Sequence, residues 1–216
     1  MSRPKKNEVE VQAMRERILD AAYTILQKDG PNALTSRAIA EQLGVAHMTL
    51  FTYFKNQAAI LSALKEREME KFRVQQHTIE QRAITEDITQ VVQEALQFFV
   101  VFARDNPNLF HLAWVMPEVM GESQEQNRQR MQENVGYLAR LLKRGMDQGS
   151  FTIREPFLAA AMILGMVNMP HILFYNGKLA DAALRDRMVD EALDAVMCYL
   201  KKPLAPSTMP ASRFAH

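Results

Sequence analysis

Thr35–Phe54 reads TSRAIAEQLGVAHMTLFTYF, two short helical patterns joined at one glycine. Ile39, Ala40 and Leu43 give the first pattern an apolar side at helical spacing. Gly44 then allows the left-handed backbone that a sharp turn after a helix needs, which a side chain would penalise. Val45, Leu50 and Phe54 can enter a small core, leaving Ala46, His47, Met48 and Thr49 to face outward at the start of the second helix. A helix-turn-helix presents such residues to base edges in the major groove. An ordinary helical hairpin is the alternative reading of the glycine turn taken alone.

The residues upstream extend the pattern. Ile18, Ala21, Ala22, Ile25 and Leu26 fall at i, i+3, i+4, i+7 and i+8, one apolar face of an amphipathic helix. Asp29-Gly30-Pro31 stops it, and Thr35 is placed to cap the next helix through its hydroxyl. Ala38 at the third position rules out a reciprocal capping box. The expected unit has three helices, the last free to enter a groove.

The stretch RERILDAAYTILQKDGPNALTSRAIAEQLGVAHMTLFTYFKNQAAIL resembles the DNA-binding domain of the TetR family of transcriptional regulators, and the resemblance covers about the first quarter of the chain. It implies a longer helical ligand-binding and dimerisation domain behind this one, and most commonly a repressor that a small molecule releases from DNA. By position, it implies that Arg37, His47 and Thr49 approach bases, while Phe51, Tyr53 and Lys55 lie along the phosphate backbone. Three positions depart from the family pattern. Phe51 stands where a tyrosine is usual, Gln57 where a lysine is usual, and Ala46, a poor helix cap, where a serine is common. Weaker backbone anchoring is the expected result, offset by the arm Arg3-Pro4-Lys5-Lys6 and by Arg15 and Arg17.

A formal net charge of +1 is low for a nucleic-acid binder, so the local balance matters more than the total. Met1 to Arg17 carries Arg3, Lys5, Lys6, Arg15 and Arg17 against Glu8, Glu10 and Glu16. That bias is modest, and fits a dimer whose two domains share the DNA. The 216 residues, 48% hydrophobic, suffice for one or two domains with a buried core. A single cysteine, Cys198, excludes an intramolecular disulfide and suits a reducing cytoplasm, where it reads as core filler. The polar N-terminus carries no apolar signal segment.

Past Lys55 the chain is a run of helical patterns without an alternating strand signal. A fourth helix carries Ile60, Leu61 and Leu64 and continues towards Phe72 as a connector. A fifth shows Ile88, Val91, Val92, Ala95, Leu96, Phe99 and Phe102 and ends at Asn106-Pro107. A short sixth runs from Leu109 to Met116, with Pro117 at its exit, and a seventh opens after Gly121 and closes near Gly149. Pro156 to Tyr175 is apolar on almost every side, close to the roughly 20 residues of a bilayer span. Asn168, Pro170 and His171 argue instead for a helix between its own domain and a partner subunit. With the helix of residues 181 to 201 it would form a four-helix interface with its copies. Pro203, Pro206 and Pro210 open a tail read as disordered. The expected chain is therefore all-α: a helix-turn-helix domain with a basic arm at 1–56, a helical effector-binding and dimerisation domain at 57–202, and the tail at 203–216.

Methionines and aromatics crowd the middle of the second domain. Met116, Met120, Met131, Met162, Met166 and Met169 recur near Phe98, Phe102, Phe110, Trp114, Tyr137, Phe174 and Tyr175. Flexible thioethers can line an adaptable apolar pocket, and they can equally fill core gaps. His111, Trp114, Tyr137, Asn168 and His171 are the polar candidates, because a hydrogen-bonding group amid apolar neighbours needs a partner. The expected effector-site set is Phe98, Phe102, His111, Trp114, Met116, Tyr137, Met162, Met166, Asn168, Met169, His171 and Tyr175, serving an apolar or aromatic molecule. The expected DNA-contact set is Arg17, Arg37, Ala46, His47, Met48, Thr49, Phe51, Tyr53 and Lys55.

Enzyme signatures are missing from this sequence. It has no phosphate-cradling glycine motif, no histidine pair at metal spacing and no Glu-x-x-His pair of the di-iron type. His47, His77, His111, His171 and His216 are scattered, so neither a metal nor a cofactor is expected. The reading is a homodimer on double-stranded operator DNA, away from membranes and without catalysis. A helical carrier lacking DNA binding, and an activator of the same fold, are the alternatives.

Overall fold

Gly44 adopts the left-handed backbone its position demands, with φ +65°, and ends helix α2 (Ser36–Leu43) by donating to the carbonyls of Ala40 and Glu41. Thr35 caps the start of α2, its hydroxyl accepting from the Ala38 amide at 3.1 Å. Ahead of α2, helix α1 (Glu8–Asp29) buries Ile18, Leu19, Ala21, Ala22, Ile25 and Leu26, the face its 3.6-residue period announces. A short turn of 3₁₀ helix, Pro31–Ala33, joins the two. Helix α3 spans only His47–Leu50 and opens at Ala46 with no side-chain cap. The computed structural model of the chain describes residues 8–116 and 123–202. The Arg3–Lys6 arm, Pro117, Met120, Gly121 and the tail from 203 lie outside them.

Asn56 caps α4 (Gln57–Arg82) by accepting from the Ala59 amide. Asp87 does the same for α5 (Ile88–Asp105) at the Gln90 amide. Helix α6 (Pro107–Phe110) runs straight into a π turn, His111–Val115. A full capping box between Ser123 and Gln126 starts α7 (Gln124–Asp147), and Glu155 and Asp181 cap α8 (Pro156–Tyr175) and α9 (Ala182–Lys201). Each such cap contributes about 1 kcal/mol, and the same oxygens stop the preceding loops from continuing as helix. There is no strand among the described residues.

Two hydrophobic cores form among the described residues. The larger joins α5, α7, α8, α9 and the C-terminal half of α4. The smaller gathers Ile18, Ala22, Leu26, Ile39, Leu50 and Phe54 from the N-terminal helices. It does not close at residue 56: Ile60, Leu61 and Leu64 of α4 belong to it, and so do Leu109 and Leu112 from beyond α5. Asn108 adds a hydrogen bond to the Gln27 carbonyl at 3.2 Å. The N-terminal unit is thus sealed by residues that are distant in sequence.

Helix α8 is long and apolar enough to cross a membrane by length and composition. In the fold Ala159, Ala160, Ile163, Val167, Pro170 and His171 are buried on one side, where α8 packs on α7 and α9. Its other side carries Leu158, Met162, Met166 and Met169, exposed by 37 to 58%.

Candidate functional site

Helix α3 shows solvent one apolar side chain, Met48, at 69% exposure. Its neighbour His47 is half-buried because Nε2 shares a hydrogen bond with the buried Ser36 hydroxyl at 2.9 Å. The imidazole also meets the Phe51 ring edge-on at 5.1 Å. His47 is therefore held by α2 rather than projecting freely, as its place in the sequence suggests. Ala46 is exposed, and Thr49, Phe51 and Tyr53 are partly covered. Arg17, Arg37 and Lys55 are exposed.

Arg15, expected to add a phosphate contact, is occupied inside the fold. Its guanidinium donates to the Tyr53 carbonyl and lies 4.0 Å above the Phe54 ring. Gln57 has a use that its position alone does not reveal. Its side-chain oxygen accepts from the Ser36 amide at 3.0 Å while its nitrogen donates to the Leu34 carbonyl at 3.3 Å. The amide therefore clamps the strand of chain entering α2, a task that needs both a donor and an acceptor and that lysine could not perform.

Between the middle of α4, helices α5, α7 and α8 and the π turn lies a cavity divided into two chambers. The smaller, about 40 Å³, is walled by Phe72, Leu96, Phe99, Trp114, Tyr137 and Leu138, with Gln76, Asn134, Leu164 and Asn168 completing it. The larger, about 480 Å³, has Met69, Trp114, Val135, Ala161 and Leu164 in its walls and four charged residues, Lys65, Glu66, Arg73 and Glu133. Trp114, Asn134, Leu164 and Asn168 line both. Trp114 stands on the π turn, the kind of helical irregularity that recurs at functional sites.

Of the residues expected to surround an effector, Trp114, Tyr137 and Asn168 line these chambers. Phe98 and Phe102 instead pack on Phe72, with ring centroids 4.8 and 4.6 Å away. His111, His171 and Tyr175 stack together beside Phe110, and Tyr175 donates its hydroxyl proton to the Ala103 carbonyl at 2.8 Å. Met116 is half-buried at the end of the π turn and lines neither chamber. Met162, Met166 and Met169 occupy the exposed side of α8, away from the cavity. The wall residues from α4 went unread, although Lys65, Met69, Phe72 and Gln76 at i, i+4, i+7 and i+11 announce a single helical face.

Burial sets the protonation of the groups here. It pushes the Tyr137 phenol well above its usual range, with Glu80 adding and Arg140 opposing, so the hydroxyl stays a proton donor. His171, which is 1% exposed, is held down to about 4, first by burial and then by the Arg185 cation, with Asp186 opposing. Neither ring nitrogen of His171 has a hydrogen-bond partner among the described residues. Among the described residues no cluster of histidine, cysteine, aspartate and glutamate could hold a metal ion.

Residues 18–64 match the bacterial regulatory proteins of the tetR family, and residues 84–191 match the tetracyclin repressor-like C-terminal domain. The chain is 31% identical over 160 residues to the fatty acid metabolism regulator protein of Bacillus subtilis, covering 70% of this chain and 78% of that one. It is 42% identical over 50 residues to the class D tetracycline repressor of Escherichia coli, a match spanning only 23% of either chain. Among solved structures, a TetR transcription regulator from Haloarcula marismortui superposes with a TM-score of 0.69 at 19% identity, covering 88% of this chain and 97% of that one. Thermus thermophilus FadR, a repressor crystallised with lauroyl-CoA, superposes with a TM-score of 0.63 at 14% identity, covering 91% and 100%.

Proposed function

The chain belongs to the tetR family of bacterial regulatory proteins, which are DNA-binding transcriptional regulators, and from that premise we propose that it is a cytoplasmic repressor binding a palindromic operator as a homodimer. A small apolar or aromatic effector enters the divided cavity and releases it. One observation carries this reading: α4 serves both the N-terminal core and the cavity. Leu64 lies in the core beneath the helix-turn-helix while Lys65, the next residue, lies in the wall of the large chamber. Arg67 ties the same stretch to α1, reaching Asp20 at 2.8 Å and Glu16 at 3.3 Å. A molecule that pushes α4 aside therefore carries α1 and the recognition helix with it. A relative that regulates fatty acid metabolism, and a structural neighbour that holds lauroyl-CoA, support an apolar effector.

Met48 offers the recognition helix a thioether suited to a thymine methyl, while His47, its Nε2 engaged by Ser36, has only its other ring nitrogen to turn to a base edge. Arg37 contributes a base contact from α2, and Lys55 a phosphate contact. Two recognition helices must stand about 34 to 36 Å apart to occupy adjacent major grooves. Dimerisation supplies that spacing. The exposed stripe of Leu158, Met162, Met166 and Met169 on α8, joined by α9, is the surface a partner copy would cover.

The test is a fluorescence-anisotropy titration of the protein against DNA flanking its own gene, with random DNA as control, at two salt concentrations. Tight, sequence-dependent binding by two protomers per site is the expected result. Failure to bind any DNA at low salt would leave a helical carrier as the better reading. Arg37→Ala should relax discrimination at one base position by about 1 to 3 kcal/mol, and an unchanged ranking of operator variants would remove Arg37 from the base-reading set. Lys55→Ala should weaken every DNA sequence alike and reduce the salt slope by about one; an unaltered slope would place Lys55 off the phosphates. For the dimer, Met166→Glu puts a charge at the centre of the α8 stripe. Sedimentation at micromolar concentration should show monomers, and a persistent dimer would mean that another face mediates assembly.

A further inference from the structure

The two chambers differ in chemistry as well as in size. No described wall residue of the small chamber is exposed, whereas the large one opens past exposed Glu66, Met131, Glu133 and Gly165. Among the described residues the small chamber has no charged residue in its wall, yet four neutral polar residues line it: Gln76, Asn134, Tyr137 and Asn168. Two of these are unsatisfied. The Tyr137 hydroxyl, on a residue 7% exposed, and the Asn168 side-chain oxygen are buried without a hydrogen-bond partner among the described residues. They come from different helices, α7 and α8, and both residues line the small chamber. Left dry, each such group forfeits a hydrogen bond that water gave it in the unfolded chain.

We infer that the effector enters with a neutral hydrogen-bonding group foremost, a hydroxyl, carbonyl or amide that Tyr137 and Asn168 receive in the small chamber, while any ionic part remains in the large one. This rests on the effector-cavity reading above and adds polarity and direction to it. A chamber of about 40 Å³ has room for such a group, since one water needs roughly 10 to 15 Å³. A carboxylate foremost would lie buried with no cation among the described wall residues, at a heavy desolvation cost. A bare methyl terminus would fit the aromatic wall of Phe72, Phe99 and Trp114 but leave both orphan groups unpaired. A site built to hydrogen-bond discriminates strongly against an analogue that lacks the polar group. The ionic end, by contrast, meets charged residues in the large chamber, Lys65, Arg73, Glu66 and Glu133, of which Arg73 and Glu66 already pair with each other at 2.5 Å.

Trp114 is the only tryptophan in the chain and lines both chambers, so its emission reports occupancy directly. The probes are three compounds of one shape, 4-tert-butylphenol, tert-butylbenzene and 4-tert-butylbenzoate, titrated into the full-length protein. The phenol should bind more tightly than the hydrocarbon by roughly tenfold or more, with the benzoate weaker than the phenol. In Tyr137→Phe that preference should collapse while hydrocarbon affinity is nearly unchanged, and Asn168→Leu gives the same comparison if the first variant fails to fold. Equal affinity for phenol and hydrocarbon, or tightest binding of the benzoate, would overturn the inference and leave the cavity reading intact. No response of Trp114 to any probe up to its solubility would overturn both.

Discussion

Leu112→Ala is expected to destabilise the protein by about 2 to 5 kcal/mol, the range for truncating a fully buried leucine. The location of the damage is more informative than its size. Leu112 lies in the π turn after α6, yet its side chain, 1% exposed, fills the core formed by α1, α2 and α3. The loss should therefore appear as weaker hydrogen-exchange protection of α1 and α2 amides, which lie far upstream in sequence, and as weaker operator binding. Denaturant titration followed by circular dichroism gives the energy. A cost below about 0.5 kcal/mol, the scale of an ordinary surface substitution, would mean that Leu112 does not seal that core.

Acidification is the second large effect. His171 is neutral in the folded protein down to about pH 4, whereas an unfolded histidine takes up its proton near pH 6.5. Between those values the unfolded chain binds the proton and the folded one does not. Stability from this group is complete above about pH 6.5 and is lost as the pH falls towards 4, by about 3 kcal/mol in all at roughly 1.4 kcal/mol per unit. The groups facing it act in opposite senses: Arg185 opposes protonation and Asp186 favours it. Carboxylates titrate in the same range, so the measurement is a comparison. Stability at pH 7 and at pH 4.5 should differ by 2 to 3 kcal/mol less in His171→Leu than in the wild type, by the same linkage. Parallel decline of the two proteins would show that the imidazole is protonated without unfolding.

The sequence discloses what is encoded locally. Thr35, Gly44 and the apolar spacing between them mark α2 because capping, left-handed turns and helical periodicity are properties of a few neighbouring residues. The bounds of α8 follow from Pro156 at its start and from the end of its apolar run, for the same reason. Tertiary facing is another matter. An all-round apolar helix does not say which side meets its own domain, and Met162, Met166 and Met169, read as pocket residues, face outward. The second half of α4, read as a connector, supplies a cavity wall that its own spacing could have disclosed. The aromatic group His111, His171 and Tyr175 sits with Phe110 rather than in either chamber, a placement that depends on how the π turn after α6 packs on α8. The hydrogen bonds of His47 to Ser36 and of Gln57 to the start of α2 depend on pairs 11 and 21 residues apart, beyond the reach of any local pattern.

The contribution of Leu109 and Leu112 to the N-terminal core bears on how such proteins can be recombined. A head cut at residue 56 would lack Ile60, Leu61 and Leu64 from one side and these two leucines from another, exposing the floor on which its recognition helix rests. Grafting the operator preference of this protein onto a different sensor body would therefore mean carrying residues 107–112 across together with the head, or rebuilding their counterparts in the recipient. Lineages that trade heads and bodies would have to keep that small patch matched on both sides of the exchange.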